Sequence, residues 1–152
     1  MLLLPDVLYF KFFRPVSCFD RLVTFFSIGS FCHCGVTFLT DTGAVYAESI
    51  APKGVVIHAN AGPVADQVRE LPVSKDGCVV VRAWFIAHQD EKYGWLDLIR
   101  IGVRKWTGLS LFGNPRGMVC SECLATMLSE LGLLSIRSTG LTPSELDIFL
   151  GG

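Results

Sequence analysis

Charge is scarce in this sequence. Asp, Glu, Lys and Arg supply 18% of the 152 residues, below the ~25% of an ordinary globular chain, while 51% are hydrophobic. That balance argues against disorder, because there is enough apolar mass to bury. Basic and acidic side chains nearly cancel, 13 against 14, and no run of Lys or Arg is present that would track a phosphate backbone, so a nucleic-acid partner is not expected. Internal repeats, low-complexity tracts and composition breaks are lacking too, and the length suits one domain over residues 1–152. The apolar start Met1–Leu4 has no preceding positive charge and is cut off by Pro5 and Asp6, so it does not read as a signal peptide. A cytoplasmic location, or carriage inside a particle such as a virion, is the expectation. Without an export signal, the six cysteines are expected reduced rather than paired in a disulfide framework.

Leu22–Thr40 contains no Asp, Glu, Lys or Arg, close to the ~20 residues a membrane-spanning helix needs. Ser27, Gly29, Ser30, His33 and Gly35 interrupt it, and its second half alternates, so no integral membrane span is expected; a helix followed by a strand fits better. Leu22, Val23, Phe25 and Phe26 fall at helical spacing, with Ser17 as cap and Gly29 as stop, which predicts a short buried helix over Phe19–Ser27. Beyond Ser30 the period becomes two, with Cys34, Val36 and Phe38 on one face and His33, Gly35, Thr37 and Leu39 on the other. The turn residues Thr40–Gly43 then lead into the alternating Ala44–Ile50, predicting an antiparallel hairpin. Val55–His58 and Val79–Val81 read as further strands, and the aromatic run Leu8–Phe13 as a buried one. Helices are predicted over Ala83–Gln89 and through Leu96, Ile99, Val103 and Trp106, followed by a turn-rich loop, Gly108–Gly117. Leu124, Met127, Leu128 and Leu131 define one more helix, opening at Cys120 and stopping at Gly132, and Thr142-Pro143 caps a last short turn.

A cysteine at a helix N-terminus faces unpaired amides and the positive end of the dipole, which favour the thiolate over a thiol of ordinary pKa ~8.5. Cys120 is therefore a candidate nucleophile, although small packed cysteines also occupy helix starts. Thiol hydrolysis further needs a histidine to move the proton and a polar residue to hold its tautomer. Of His33, His58 and His88, His33 is best placed, since it opens the hairpin. With Leu39 opposite Ala44, His33 falls opposite Ile50 and Glu48 becomes its diagonal neighbour on the same face, ~7–8 Å away and within reach. A one-residue slip would turn Glu48 to the other face. A rival reading groups Cys32, Cys34, Cys120 and Cys123 as ligands of a structural zinc in a non-catalytic interaction module. Cys18 and Cys78 read as packed residues.

The order His33, Glu48, Cys120 resembles that of the circularly permuted papain-like amidases related to the NlpC-type cell-wall hydrolases. The resemblance spans about Phe19 to Leu146 and rests on Phe31-Cys32-His33-Cys34-Gly35-Val36, Val45-Tyr46-Ala47-Glu48-Ser49, Gly54-Val55, Tyr93-Gly94-Trp95 and, most specifically, Val119-Cys120-Ser121-Glu122. It departs from the family's pattern in carrying Cys32 where a serine commonly precedes the histidine, and in the extra Cys34. The resemblance implies an α+β fold with an antiparallel sheet packed on the cysteine-bearing helix; periodicity alone reaches only mixed α and β with a hairpin. It also implies Cys120 as nucleophile, His33 as general base and acid, Glu48 as orienting residue, and neither metal nor other cofactor. Tyr93 resembles the family's active-site tyrosine, which would bond the substrate carbonyl or oxyanion; as an aromatic core anchor beside Trp95 it is equally well explained. The implied activity is thiol-dependent hydrolysis of peptide or cell-wall stem-peptide amides, with a lipid acyltransferase or thioesterase as the alternative.

Overall fold

A computed structural model of the chain describes residues 3–74, 76–108, 117–136 and 140–151. They form five strands, β1 (Val7–Phe13), β2 (His33–Thr40), β3 (Gly43–Ile50), β4 (Gly54–His58) and β5 (Gln67–Pro72), and five helices, α1 (Cys18–Ser27), α2 (Gly77–Ala87), α3 (Trp95–Thr107), α4 (Cys120–Glu130) and α5 (Pro143–Gly151). The strands make one antiparallel sheet in the order β4-β3-β2-β1-β5, so the fold is α+β. Among the described residues no helix is long and apolar enough to cross a membrane.

Alternation sorts the sheet into two faces. Leu8, Phe10 and Phe12 of β1, Cys34, Val36 and Phe38 of β2, and Val45 and Ala47 of β3 share the core with α2 and α4. From α4 come Leu124, Met127 and Leu128, each fully buried and each worth roughly 2 kcal/mol of apolar burial. The opposite face carries Tyr9, Lys11, Thr37, Tyr46, Glu48 and His58. It is covered by the loop between β4 and β5: Lys11 Nζ donates to Ala61 O (2.6 Å) and Pro63 O (2.9 Å), and Thr37 Oγ1 to Ala61 O (2.9 Å). Burial lowers the Lys11 pKa, and the two carbonyls supply the acceptors that a buried ammonium needs.

The hairpin takes the expected register, with Leu39 opposite Ala44 and Gly35 opposite Glu48; Thr40 also pairs with Gly43, leaving Asp41-Thr42 as the turn. Ser17 caps α1 in a reciprocal box with Asp20, and the helix stops at Ile28 in left-handed geometry, one residue before the glycine expected to end it. Its burial is partial: Val23 is inside, whereas Leu22 and Phe25 are 51% and 57% exposed. On α3 the buried positions are Asp97, Ile101 and Gly102, so the predicted stripe of Leu96, Ile99 and Trp106 faces outward. Ile101 and Asp97 take the inward face instead, and the buried Asp97 carboxylate is paired within the helix by Arg100, whose Nη1 donates to Oδ1 at 2.9 Å.

Val79–Val81 is not a strand but part of α2, which begins at Gly77 rather than near Ala83. Val81, Trp84 and Phe85 are buried while Val79 and Val80 are exposed, a helical pattern whose packing overrides the strand preference of three successive valines. The expected last turn is the nine-residue α5, boxed at its start by Thr142 and Glu145. Most of the loop predicted over Gly108–Gly117, and the side chain of Cys18, lie outside the described residues.

Gly35 and Gly62 hold Tyr46 between them: a Cβ on either would come within 2.4 Å of its side chain. Gly35→Ala is therefore expected to destabilise by about 1–3 kcal/mol through overpacking, lowering Tm by roughly 3–10 °C in thermal unfolding.

Candidate active site

Glu48 lies on the covered face of the sheet, 7% exposed, and three side chains converge on it. His33 Nε2 is 2.5 Å from Oε2, the Tyr46 hydroxyl donates to Oε2 at 2.9 Å, and His58 Nε2 is 3.1 Å from Oε1. Burial alone would raise the Glu48 pKa; the bonds from His33, Tyr46 and His58 outweigh it and hold the carboxyl below its usual range. An ionised carboxylate only accepts, so both imidazoles and the phenol present N–H or O–H to it. Burial and the adjacent carboxylate push the Tyr46 phenol far up, keeping it protonated.

His33 sits at the first position of β2, stacked on Phe13 with ring centroids 5.7 Å apart. Nε2 is taken by Glu48, and the Cys120 sulfur acts on the ring by its charge and by hydrogen bonding. Burial disfavours the imidazolium, but the Cys120 sulfur and Glu48 reverse this and raise the pKa to about 10. Cys120 is the first residue of α4, where the helix start leaves its N–H without an intrahelical acceptor. Its pKa is held well below the ordinary value, first by the Cys34 thiol donating to the sulfur, then by the charge and hydrogen bond of His33 and the Cys34 backbone N–H; burial opposes them. The geometry thus favours a thiolate–imidazolium pair braced by a carboxylate.

The segment entering α4 is pinned before Cys120 is reached. Ser49 Oγ donates to Met118 O at 2.6 Å, and Met118 bridges Tyr93, with Met118 N–H donating to Lys92 O at 3.2 Å. This bridge sets Tyr93 beside Cys120, where both line one pocket. Burial and then the Cys120 charge raise the Tyr93 pKa, so its hydroxyl remains a donor. Glu122, at the third position of α4, accepts from the Val119 and Gly140 backbone N–H groups, yet burial and Asp97 lift its pKa to about 7.

The structure thus brings together His33, Glu48 and Cys120, with Tyr93 at the pocket wall. His58 was not singled out from sequence; its place follows from the β3–β4 register, which sets it opposite Tyr46 and diagonal to Glu48. His88 lies elsewhere, capping α2, stacked on Trp84 at 3.9 Å with Nδ1 on Trp84 O at 2.7 Å. The four cysteines considered for zinc are dispersed in role: Cys34 faces Cys120, Cys32 Sγ donates to Phe13 O at 3.3 Å, and Cys123 is fully buried. Among the described residues no three His, Cys, Asp or Glu side chains are grouped to hold a metal ion. Comparison with protein-family models and with curated proteins finds no match to this chain.

Two measurements check this geometry. Iodoacetamide labelling of Cys120, followed by mass spectrometry, is expected to differ less than about threefold between pH 6 and 8, whereas an ordinary thiol gains roughly 75-fold from pH 6 to pH 8. The sign follows from a lowered Cys120 pKa and a His33 pKa near 10, which keep the pair ionised throughout; His33→Ala is expected to restore the steep dependence. His58→Ala removes one bond to Glu48 and is expected to move the acid limb of Cys120 labelling, below pH 6, upward by about 0.7 pH, a fivefold change in the protonation equilibrium, with recovery in His58→Gln, whose amide N–H still donates. An equal displacement in both variants would mean that His58 merely packs.

Proposed function

We propose that this protein is a thiol-dependent acyl-transfer enzyme, a hydrolase of amides or esters, with Cys120 as nucleophile, His33 as the proton carrier and Glu48 as the residue that orients His33. The observation that carries this reading is the single chain of contacts Glu48–His33–Cys120 ending at a helix N-terminus. The Cys120 thiolate attacks the substrate carbonyl and forms an S–acyl bond. His33 gives its proton to the departing amine or alcohol. It then takes a proton from the water or other acceptor that resolves the acyl-enzyme. Negative charge on the carbonyl oxygen would be met by the Cys120 N–H and the Tyr93 hydroxyl, and such donors contribute ~3–4 kcal/mol each.

The same contacts support a permuted papain-like arrangement, in which the histidine hairpin precedes the cysteine-bearing helix. Peptide and cell-wall stem-peptide amides are the substrates the sequence resemblance suggests. The acyltransferase or thioesterase reading gains support from the apolar character of the pocket beside Cys120. The test is hydrolysis of activated esters and peptide amides by wild type, Cys120→Ala and His33→Ala. Both variants are expected to lose at least ~100-fold in kcat/KM with folding intact by circular dichroism. Full activity in Cys120→Ala would reject the mechanism.

A further inference from the structure

The apolar stripe of α3 faces water. Leu96, Ile99 and Trp106 share one side of the helix and are 68%, 60% and 55% exposed, with the exposed Trp95 beside them. Charged residues of the same helix turn toward the protein instead: Asp97 is buried on Arg100, Lys105 pairs with Glu145, and Arg104 Nη2 donates to Gly140 O. Next to this stripe lies α1, which packs on α3 and sets Phe25 against Trp106 at 4.8 Å between ring centroids. Leu22, Phe25 and Ile28 at this end of the molecule are exposed as well. The two helices therefore present one continuous apolar face, of the kind that marks an interaction site. Its charge is of one sign. Asp20 and Asp97, the carboxylates of α1 and α3, are taken by the Val16 and Ser17 N–H groups and by Arg100. Arg21 lies one helical turn before Phe25 on the exposed side of α1, and Arg104 lies two turns beyond Leu96 at the border of the α3 stripe. Among the described residues neither is paired with a carboxylate.

We propose that the α1–α3 face is a membrane-docking surface that lies flat on an anionic lipid bilayer. Leu22, Phe25, Leu96, Ile99 and Trp106 enter the boundary between headgroups and acyl chains, and Arg21 and Arg104 meet the lipid phosphates. Three observations choose lipid as the occupant. Tryptophan stands at the first residue of α3 and again one residue before its end, with aliphatic side chains between, the order that suits a helix in the plane of a membrane interface. The unpaired basic charge complements acidic headgroups. The face is also small: α3 has 13 residues, and at ~1.5 Å each two adjacent helices cover roughly 20 Å by 20 Å, about half the ~800 Å² that each partner gives to a stable protein interface. That length is also too short to span the ~30 Å hydrocarbon core, so docking is peripheral. The surface goes beyond the acyl-transfer reading and does not depend on it.

The test is flotation of the full chain with vesicles of phosphatidylcholine in which a quarter of the lipid is phosphatidylglycerol. Wild type is expected to float with these vesicles at low salt and to dissociate progressively as salt is raised. Arg21→Gln is expected to lower partitioning about fivefold and to flatten the salt dependence. Leu96→Glu and Ile99→Glu, placed where water already reaches the side chain, are each expected to lower it tenfold or more with folding intact by circular dichroism. A second measurement needs no variant: lipids brominated on the acyl chain are expected to quench Trp95 and Trp106 of the wild type while sparing Trp84, which is 7% exposed. Cys120→Ala is expected to float as wild type does, so that loss of catalysis and loss of docking are read separately. Absence of both flotation and quenching would overturn the proposal. A dimer in sedimentation that Ile99→Glu dissolves, without vesicle binding, would overturn it in favour of a second copy of this chain.

Discussion

A carboxylate held inside a protein must be surrounded by donors, and much of this fold is arranged around meeting that demand for Glu48. Its charge is shared by His33, Tyr46 and His58, drawn from three adjacent strands. Removing one partner leaves a charge that neither water nor protein fully compensates, so these contacts are far more costly to break individually than a surface ion pair. The arrangement also dictates what packs nearby. Tyr46 reaches the carboxylate only because glycine stands on both sides of its ring, and the second of those glycines belongs to the loop that Lys11 ties down. Sheet register, loop closure and the ionisation of a single side chain are therefore one constraint.

From that carboxylate the organisation runs outward to the sulfur. Glu48 fixes the ring of His33, which acts on Cys120 by charge and hydrogen bonding, and the helix start contributes amides that no intrahelical acceptor uses. Cys34, on the core face of the same strand, adds its thiol and its backbone N–H to the sulfur. Thus two neighbouring residues of β2, whose side chains alternate across the sheet, both act on one atom. The sheet supplies the imidazole, the carboxylate and most of the donors, and the helices supply the thiol and the apolar wall beside it.

Much of the central geometry was legible from pattern alone, for a specific reason. Strand alternation and turn residues tie the parity of His33 to that of Glu48, and Leu124, Met127, Leu128 and Leu131 show where the helix after Cys120 must face. Three things escaped. β5 carries Arg69 and Glu70 side by side and sits at the sheet edge, half exposed, so its pairing with β1 rests on backbone bonds that leave little mark in side-chain type. Val79–Val81 has strand-like chemistry but is overruled by the spacing of Val81, Trp84 and Phe85, which only the packed helix makes decisive. His58 depends on the register of β4, set across a connection whose path no local preference dictates.

Residues far apart along the chain meet at the sulfur: β2 and β3 bring the imidazole and its carboxylate, α4 brings the thiol, and Ser49 ties the approach to α4 back to β3. None of the influences that depress the Cys120 pKa exists in an extended chain. A nascent or unfolded copy therefore carries an ordinary, mostly protonated thiol, which gains thiolate character only once the sheet and helix have docked. Thiolate character is in this sense a property of assembly: it comes with tertiary structure and goes with its loss, so that degradation intermediates and misfolded molecules would present only an ordinary thiol at this position.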